Sequence, residues 1–600
     1  MQSFLQYRKL AERIEREIGS DPEKKPGPFI ASNLTVRSSI DSTHSAAHQA
    51  LQSSSPAPPS PQLPLDSRNA PSTFPRGSSY SELGVSFVSG VDVRERTTQE
   101  GGDNNNINNE VSLVFVVTWS GGADDVDNPH NWSFCKKAVA TLLVAMVCFV
   151  CMVASSIDAA VMPQAAEDLG VSSVVESLAT AMFLVGSAVG CLFTGPFSET
   201  FGRNPVYIGT MLLFMIWVMA SALAPNIGAQ LAFRFLVGVF GCAPLTCAGG
   251  TIADLYDPLE KIYGFPLFAV FGFGGSMLGP VIGSFIYTSD SLSWRFADWI
   301  TLAMAGLVTV VIFFLLPETH PGVLQLWRAK HLRRATGDER YQAQSEIGEI
   351  GFWKRMHRAV LRPWLFATDM IVVLISLYLT IIWAVLFTFL DGYAFIFTET
   401  YGISQGLTNV CFVAMYVGVL LSSFMVPVVY KLTMLDIKRQ QEQQEQNKSQ
   451  GDGQPNTVTP TASRPRPETR LYFAMLGGGW AIPVSLFWLA WTTYPSVSIW
   501  SPILATTLFG FGLINVFLSS YMFIIDVYQV NAASALTLAT FVRYIVSGGL
   551  TVAGIPFYQN VGVHWTLTIM ACLGGLCAPI PYLLYRYGLW IRSHSKHAVS

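Results

Sequence analysis

Twelve apolar runs, each close to the roughly 20 residues that an α-helix needs to cross a hydrocarbon core, leave this chain little choice but an all-α membrane protein. They extend from Ala138 to Val161, Val175 to Phe197, Val206 to Ala224, Ala229 to Ala253, Tyr263 to Tyr287, Trp299 to Leu316, Phe366 to Leu390, Leu407 to Tyr430, Leu471 to Thr492, Trp500 to Ile525, Ala533 to Tyr558 and His564 to Tyr585. Helices satisfy their own backbone hydrogen bonds, as lipid demands. Six runs precede a polar break and six follow it, so we expect 12 transmembrane helices in two pseudo-symmetric six-helix bundles, each made of inverted three-helix repeats. The expected domains are a disordered cytoplasmic N-terminal tail (1–136), the first bundle (137–316), a cytoplasmic inter-bundle loop (317–365), the second bundle (366–588, with a cytoplasmic loop at 431–470) and a cytoplasmic C-terminal tail (589–600).

Composition agrees. The 600 residues are 51% hydrophobic and only 13% charged, with a mean hydropathy of +0.39, against a charged share of about 25% in soluble domains. The formal net charge of −3 and the scatter of basic residues through loops exclude nucleic acid as a partner. Eight of the nine cysteines lie in apolar runs without metal or disulfide spacing, and read as small buried hydrophobes.

Met1 to Ser20 lacks the apolar core of a secretory signal. Its Phe4, Tyr7, Ala11, Ile14 and Ile18 recur at helical spacing, which fits a short amphipathic helix or a solvated one of no special function. From about Pro26 to Asn109, Ser, Pro, Gln, Asn and Gly dominate, too polar to offset ordering entropy. Val111 to Trp119 is apolar but too short to span, so it should lie at the interface or fold against the domain.

Basic residues set the orientation. They crowd the break between the halves and the loop after the eighth run, while the links after runs 1, 7, 9 and 11 hold no Lys or Arg. Positive-inside then puts both termini and both large loops in the cytoplasm. The sequons at Asn33, Asn131 and Asn447 would all face that side and stay unglycosylated.

Ionisable residues within spans are candidates for function because burying them is costly. Asp158, Arg234, Asp391 and Arg543 stand out. Asp158 and Arg234 fall in the same half of the membrane depth, so a pair is geometrically possible; an arginine that withdraws from a carboxylate changes its proton affinity, which is what proton coupling needs. Arg543 lies about 15 Å along its helix, near the midplane. Glu176, Asp254 and Asp526, near helix ends, read as snorkelling or capping residues.

The link between the second and third runs, Gly195-Pro196-Phe197-Ser198-Glu199-Thr200-Phe201-Gly202-Arg203-Asn204-Pro205, reads as a tight polar turn with Glu199 and Arg203 as opposite charges and Gly195 and Gly202 as close-approach points. It resembles the helix 2–3 loop of the major facilitator superfamily, in the form used by the fungal drug:proton antiporter (12-spanner) branch; Asn204 departs from that family's second basic residue. Arg234-Phe235-Leu236-x-Gly238-x-x-Gly241 is similar to the family's helix 4 signature, where the arginine is linked to proton transfer. In the fifth run, Gly275-x-x-x-Gly279-Pro280-x-x-Gly283 resembles the signature of drug-exporting members and otherwise reads as a helix-packing face. Asp127 to Trp132, Pro317-Glu318-Thr319, Pro467 to Leu471 and Ala533-Ser534-Ala535 extend the likeness over Asp127 to Ser595.

That resemblance implies the major facilitator fold and a proton-coupled antiporter of the plasma membrane. It would export small organic compounds such as toxins, secondary metabolites or antifungal drugs. Asp158, Arg234, Arg543 and Asp391 are the coupling candidates; Gly195, Glu199, Gly202, Arg203, Gly275, Gly279, Pro280 and Gly283 the gating ones. The chain is 12% aromatic, and Tyr393, Trp480, Tyr521 and Phe541 are the substrate-contact candidates, with packing or lipid-facing roles as the alternative. No nucleotide-binding loop, nucleophile elbow or metal-spaced His/Cys/Glu cluster occurs, so no enzyme activity, cofactor or metal is expected. Partners would be cargo, protons and lipid, with a monomer as the working unit. A polyamine exporter of the same fold would need more cavity carboxylates; a non-transporting sensor or scaffold has only the Ser-rich tail in its favour.

Overall fold

The computed structural model describes residues 1–19, 91–99, 109–119, 125–289, 291–347, 352–449 and 465–595. Each apolar run becomes one span: Phe134–Leu169, Ser173–Phe201, Arg203–Ala222, Ile227–Leu255, Lys261–Tyr287, Phe296–Leu315, Met370–Leu390, Gln405–Gln443, Pro467–Thr492, Trp500–Tyr528, Ala532–Val561 and Val563–His594, here spans 1 to 12. The chain is thus a mostly helical membrane protein with, among the described residues, twelve helices long and apolar enough to cross.

Helix ends follow local chemistry. Span 1 stops where Gly170 takes a left-handed conformation (φ 64°), which a glycine adopts freely. Asp369 caps span 7 by accepting the Ile371 N–H at 3.2 Å. Span 8 outruns expectation, because its last helix continues as Met425–Ser449 into the expected loop, whose Leu, Met, Lys, Arg, Gln and Glu residues are good helix formers.

Repetition between the halves is visible in the closest helix crossings. A Cβ on Gly186 of span 2 would strike the Phe235 carbonyl of span 4, and one on Gly238 would strike the Phe183 carbonyl. Spans 8 and 10 reproduce this with Gly418 against Thr507 and Gly510 against Met415. Reciprocal glycines of this kind let two backbones touch.

The chain divides into two compact units. The larger comprises Met1–Gln6, Val126–Leu324 and Glu349–Ser600 and carries all the spans. The smaller comprises Tyr7–Asp125 and Gln325–Gly348. In it, strand β1 (Val91–Gln99) pairs antiparallel with β2 (Asn109–Val117), and β2 pairs parallel with β3 (Tyr341–Ala343). Leu10 and Ile14 of the helix Gln2–Gly19 share a small core with Phe115, Val117, Leu332 and Tyr341. The N-terminal segment is therefore not a disordered tail throughout. The amphipathic helix has a buried face and the run at Val111 is the central strand, whereas most of the Ser/Pro-rich stretch, Asn33 included, lies outside the described residues.

Candidate functional site

Spans 1, 4 and 6 meet around one guanidinium. Arg234 donates through Nη2 to Asp158 Oδ1 and to Asp298 Oδ1, both at 2.5 Å, and through Nη1 to the Ala154 carbonyl at 3.1 Å. None of the three is exposed beyond 4%. One turn earlier on span 4, Gln230 donates to Glu176 at 3.3 Å, and Glu176 is buried, so it does not snorkel. Asp298 is not among the sequence candidates, because the sixth apolar run begins at Trp299 and leaves it one residue outside. The signal was Asp298 itself, in the first turn of the helix that follows Trp294-Arg295.

One arginine between two carboxylates is not charge-balanced. The guanidinium neutralises one of them, and the second is neutralised by a proton or stays surplus in a medium where surplus charge is expensive. All three residues belong to the first six spans. Rocking of one half against the other would not by itself pull them apart.

A second cluster closes the end of the bundle where odd spans begin and even spans finish. The expected turn at Gly195 is instead helix through Phe201, and the whole joint is Gly202 at φ 100°. Arg203 turns away from the exposed Glu199 and pairs with Asp254 at 3.0 Å and the Ser198 hydroxyl at 2.6 Å. Glu318, fully buried beyond span 6, accepts from the backbone N–H groups of Arg203 (2.9 Å), Asn204 (3.2 Å), Thr319 (3.0 Å) and His320 (2.8 Å). Burial pushes its carboxyl above the ordinary range, while these donors favour the anion. Asn204 is occupied too: its amide donates to Leu316 O and to Ser3 Oγ, the latter at 2.5 Å. Gln6 exchanges two hydrogen bonds with the Glu318 backbone.

The second half repeats the pair. Arg470, opening span 9, donates to Asp526 at the end of span 10 (2.6 Å) and across the halves to Pro258 O (2.5 Å). Asp254 and Asp526 are therefore ion-paired, not caps.

Between the halves lies an aromatic centre. Arg543 of span 11 is 0% exposed and stacks over Trp383 (4.2 Å to the ring centre), Tyr544 (4.8 Å) and Tyr521 (5.8 Å). Phe273 of span 5 and Phe517 of span 10 complete it, 4.5 Å apart. Of the expected cargo contacts, only Tyr521 lies here. Trp480 is 47% exposed, in line with the exposed Val484, Phe487 and Trp491 at helical spacing, and so belongs to the outer, lipid-facing stripe. Tyr393 stacks on Phe412 at 3.8 Å, and Phe541 packs edge-on against Trp364 at 5.2 Å. Gly275, Gly279 and Gly283, beside Pro280, face Phe149, Ser156 and Ala160 of span 1 in their own half, whereas Gly274 of the same span meets the other half at Tyr416. The Asp391 side chain lies outside the described residues.

Comparison with known proteins places this arrangement. The model of the Major Facilitator Superfamily matches residues 143–552. The chain is 41% identical to the MFS-type transporter kojT of Aspergillus flavus and of Aspergillus oryzae, over 99% of this chain and 100% of each relative. It is 33% identical to the MFS-type efflux pump MFS2 of Trichophyton rubrum, over 81% of this chain and 77% of that one. Among solved structures, the proton:xylose symporter XylE aligns with a TM-score of 0.53 at 13% identity, covering 76% of this chain and 96% of that one, which speaks for the fold alone. With twelve spans in two repeating halves and a family match over more than half its length, this chain belongs to the Major Facilitator Superfamily and is a multi-pass secondary transporter.

Proposed function

We propose that the protein exports small organic compounds across the plasma membrane in exchange for protons. The observation that carries this reading is Arg234 held between Asp158 and Asp298 inside the membrane. With one carboxylate protonated, the cluster is neutral. On release of that proton it carries one negative charge, and this difference is what a driving gradient can act on. Because the cluster sits within one half, its proton is released through rearrangement among spans 1, 4 and 6. The naming of a fungal relative as an efflux pump supports the outward direction. In this reading both termini and the Arg203 and Arg470 joints face the cytoplasm, the single chain is the working unit, and Arg203 with Asp254 holds the cytoplasmic end of the first half together. The arginine at the aromatic centre speaks against a polyamine cargo.

Efflux of a panel of fluorescent and antifungal compounds from cells expressing the wild type, with and without a protonophore, tests the proposal beside Asp158→Asn and Asp298→Asn. Protonophore-sensitive efflux that either substitution uncouples is the expected result. Efflux indifferent to the protonophore in the wild type, or unchanged coupling in both variants, would refute it.

A further inference from the structure

The buried arginines of the spans differ in one respect. Arg203, Arg234 and Arg470 each have a carboxylate within ion-pair distance. Arg543 has none among the described residues, and none of its three nitrogens has a hydrogen-bond acceptor. Its polar neighbours are the phenols of Tyr521 and Tyr544, neutral groups close enough to stabilise the cation but outside strict hydrogen-bond distance and angle. The ring faces of Trp383, Tyr544 and Tyr521 offset part of the charge, but a π face does not satisfy an N–H the way an anion does.

Its surroundings hold further unpartnered polar groups. Trp383 Nε1, Tyr544 Oη and Ser547 Oγ are buried without partners, and Ser547 lies one turn along the face of span 11 that carries Arg543. Guanidinium and indole N–H groups can only donate. The missing partner must therefore bring acceptors. The walls are flat: Phe273, Trp383, Phe517 and Tyr521 lie edge-on or tilted to one another with centres 4.2 to 5.6 Å apart. They come from spans 5, 7 and 10, and so from both halves, at the place that alternating access would open to either side.

We propose that Arg543 and these rings form the cargo site, and that the cargo is a flat organic anion whose carboxylate, phenolate or enolate oxygen docks on the guanidinium. This rests on the reading of the chain as a carrier of small organic compounds and narrows it to one charge class. Arg543, which the sequence grouped with the proton-coupling residues, is assigned to cargo instead.

The test is equilibrium binding to the full-length protein in nanodiscs, with no pH gradient and empty nanodiscs as baseline. Three probes share one ring system: 2-naphthoate, 2-naphthylmethanol and 2-naphthylmethylammonium. Naphthoate should bind about tenfold or more tighter than the alcohol, as a charge-assisted hydrogen bond implies, and the ammonium weakest. Arg543→Gln should erase the ranking and Arg543→Lys keep part of it. Trp383→Phe, which keeps a ring and removes the N–H, should weaken naphthoate about threefold while sparing the alcohol. Equal binding of the three probes, preference for the ammonium, or an anion preference that survives Arg543→Gln would overturn the proposal. Should Arg543→Gln fail to fold, the wild-type ranking and Trp383→Phe decide. Since no gradient is present, failure here leaves proton antiport standing, and gradient-independent efflux would leave this ranking intact.

Discussion

Replacing Arg234 by glutamine removes the cation from between two buried carboxylates. Asp158 and Asp298 accept from the same nitrogen at 2.5 Å each, so their oxygens lie within about 5 Å, where two full charges at an effective dielectric constant near 20 repel by about 3 kcal/mol. Breaking a buried pair by deleting one partner costs about 3–5 kcal/mol in measured cases, of the same order. The variant should therefore lose about 3–5 kcal/mol of stability at neutral pH unless it takes up protons. Adding Asp298→Asn removes one of the facing charges and should restore most of that loss. Asp298→Asn alone, which leaves Arg234 paired one-to-one with Asp158, should cost about 1 kcal/mol, the value of a hydrogen bond. Melting of the detergent-solubilised protein, followed as the loss of monodisperse protein on heating, ranks the four chains. The reasoning fails if Arg234→Gln melts with the wild type, or if the double variant is no more stable than Arg234→Gln.

Gly202→Ala should be poorly tolerated: φ of 100° is unfavourable for any side chain, and the new Cβ would press on the Glu318 carboxylate, a combined effect of at least about 1–3 kcal/mol read as lowered melting and surface expression. Asn204→Lys, which supplies the basic residue found in related loops, should destabilise by about 1–3 kcal/mol in the same assay, because the amide that bridges Ser3 and Leu316 is lost; a melting point equal to the wild type would contradict the contact. Trp480→Leu should leave apparent cargo affinity in efflux within about twofold, while Tyr521→Leu weakens it about tenfold or more, as loss of a buried aromatic anchor does; equal effects would remove Tyr521 from the cargo site.

Much of this architecture was legible because lipid imposes one rule on every span: a run of about 20 apolar residues has few other solutions. The pairing of Asp158 with Arg234 was legible for the related reason that isolated charges in such runs need partners. What escaped the sequence depended on contacts distant along the chain. Asp298 looked like loop because it stands at the edge of its run. Strand β1, with Asp92, Arg94, Glu95 and Arg96, has no apolar pattern to announce it and is defined by its register against β2. Arg203 and Glu199 looked like a pair by proximity in the chain, but span 4 brings Asp254 closer. The aromatic candidates could not be ranked at all, since helical spacing does not say which face looks inward.

The distribution of ion pairs bears on how freely the halves can part. Arg203 with Asp254, Lys137 with Glu260, and Arg234 with its two aspartates are internal to the first half; Arg470 with Asp526 and Arg592 with Glu468 are internal to the second. At the end of the bundle where the joints lie, the charged side chains seen to link the halves are Arg470, bonded to the Pro258 carbonyl, and Lys261, 4.0 Å from Asp526. Separating the halves there leaves Arg203 and Arg470 each with its counter-ion. It exchanges one hydrogen bond and one long ion pair for water, a change worth only about 1–2 kcal/mol. A gate built this way is electrically cheap to open, and the resistance to opening it comes from apolar packing.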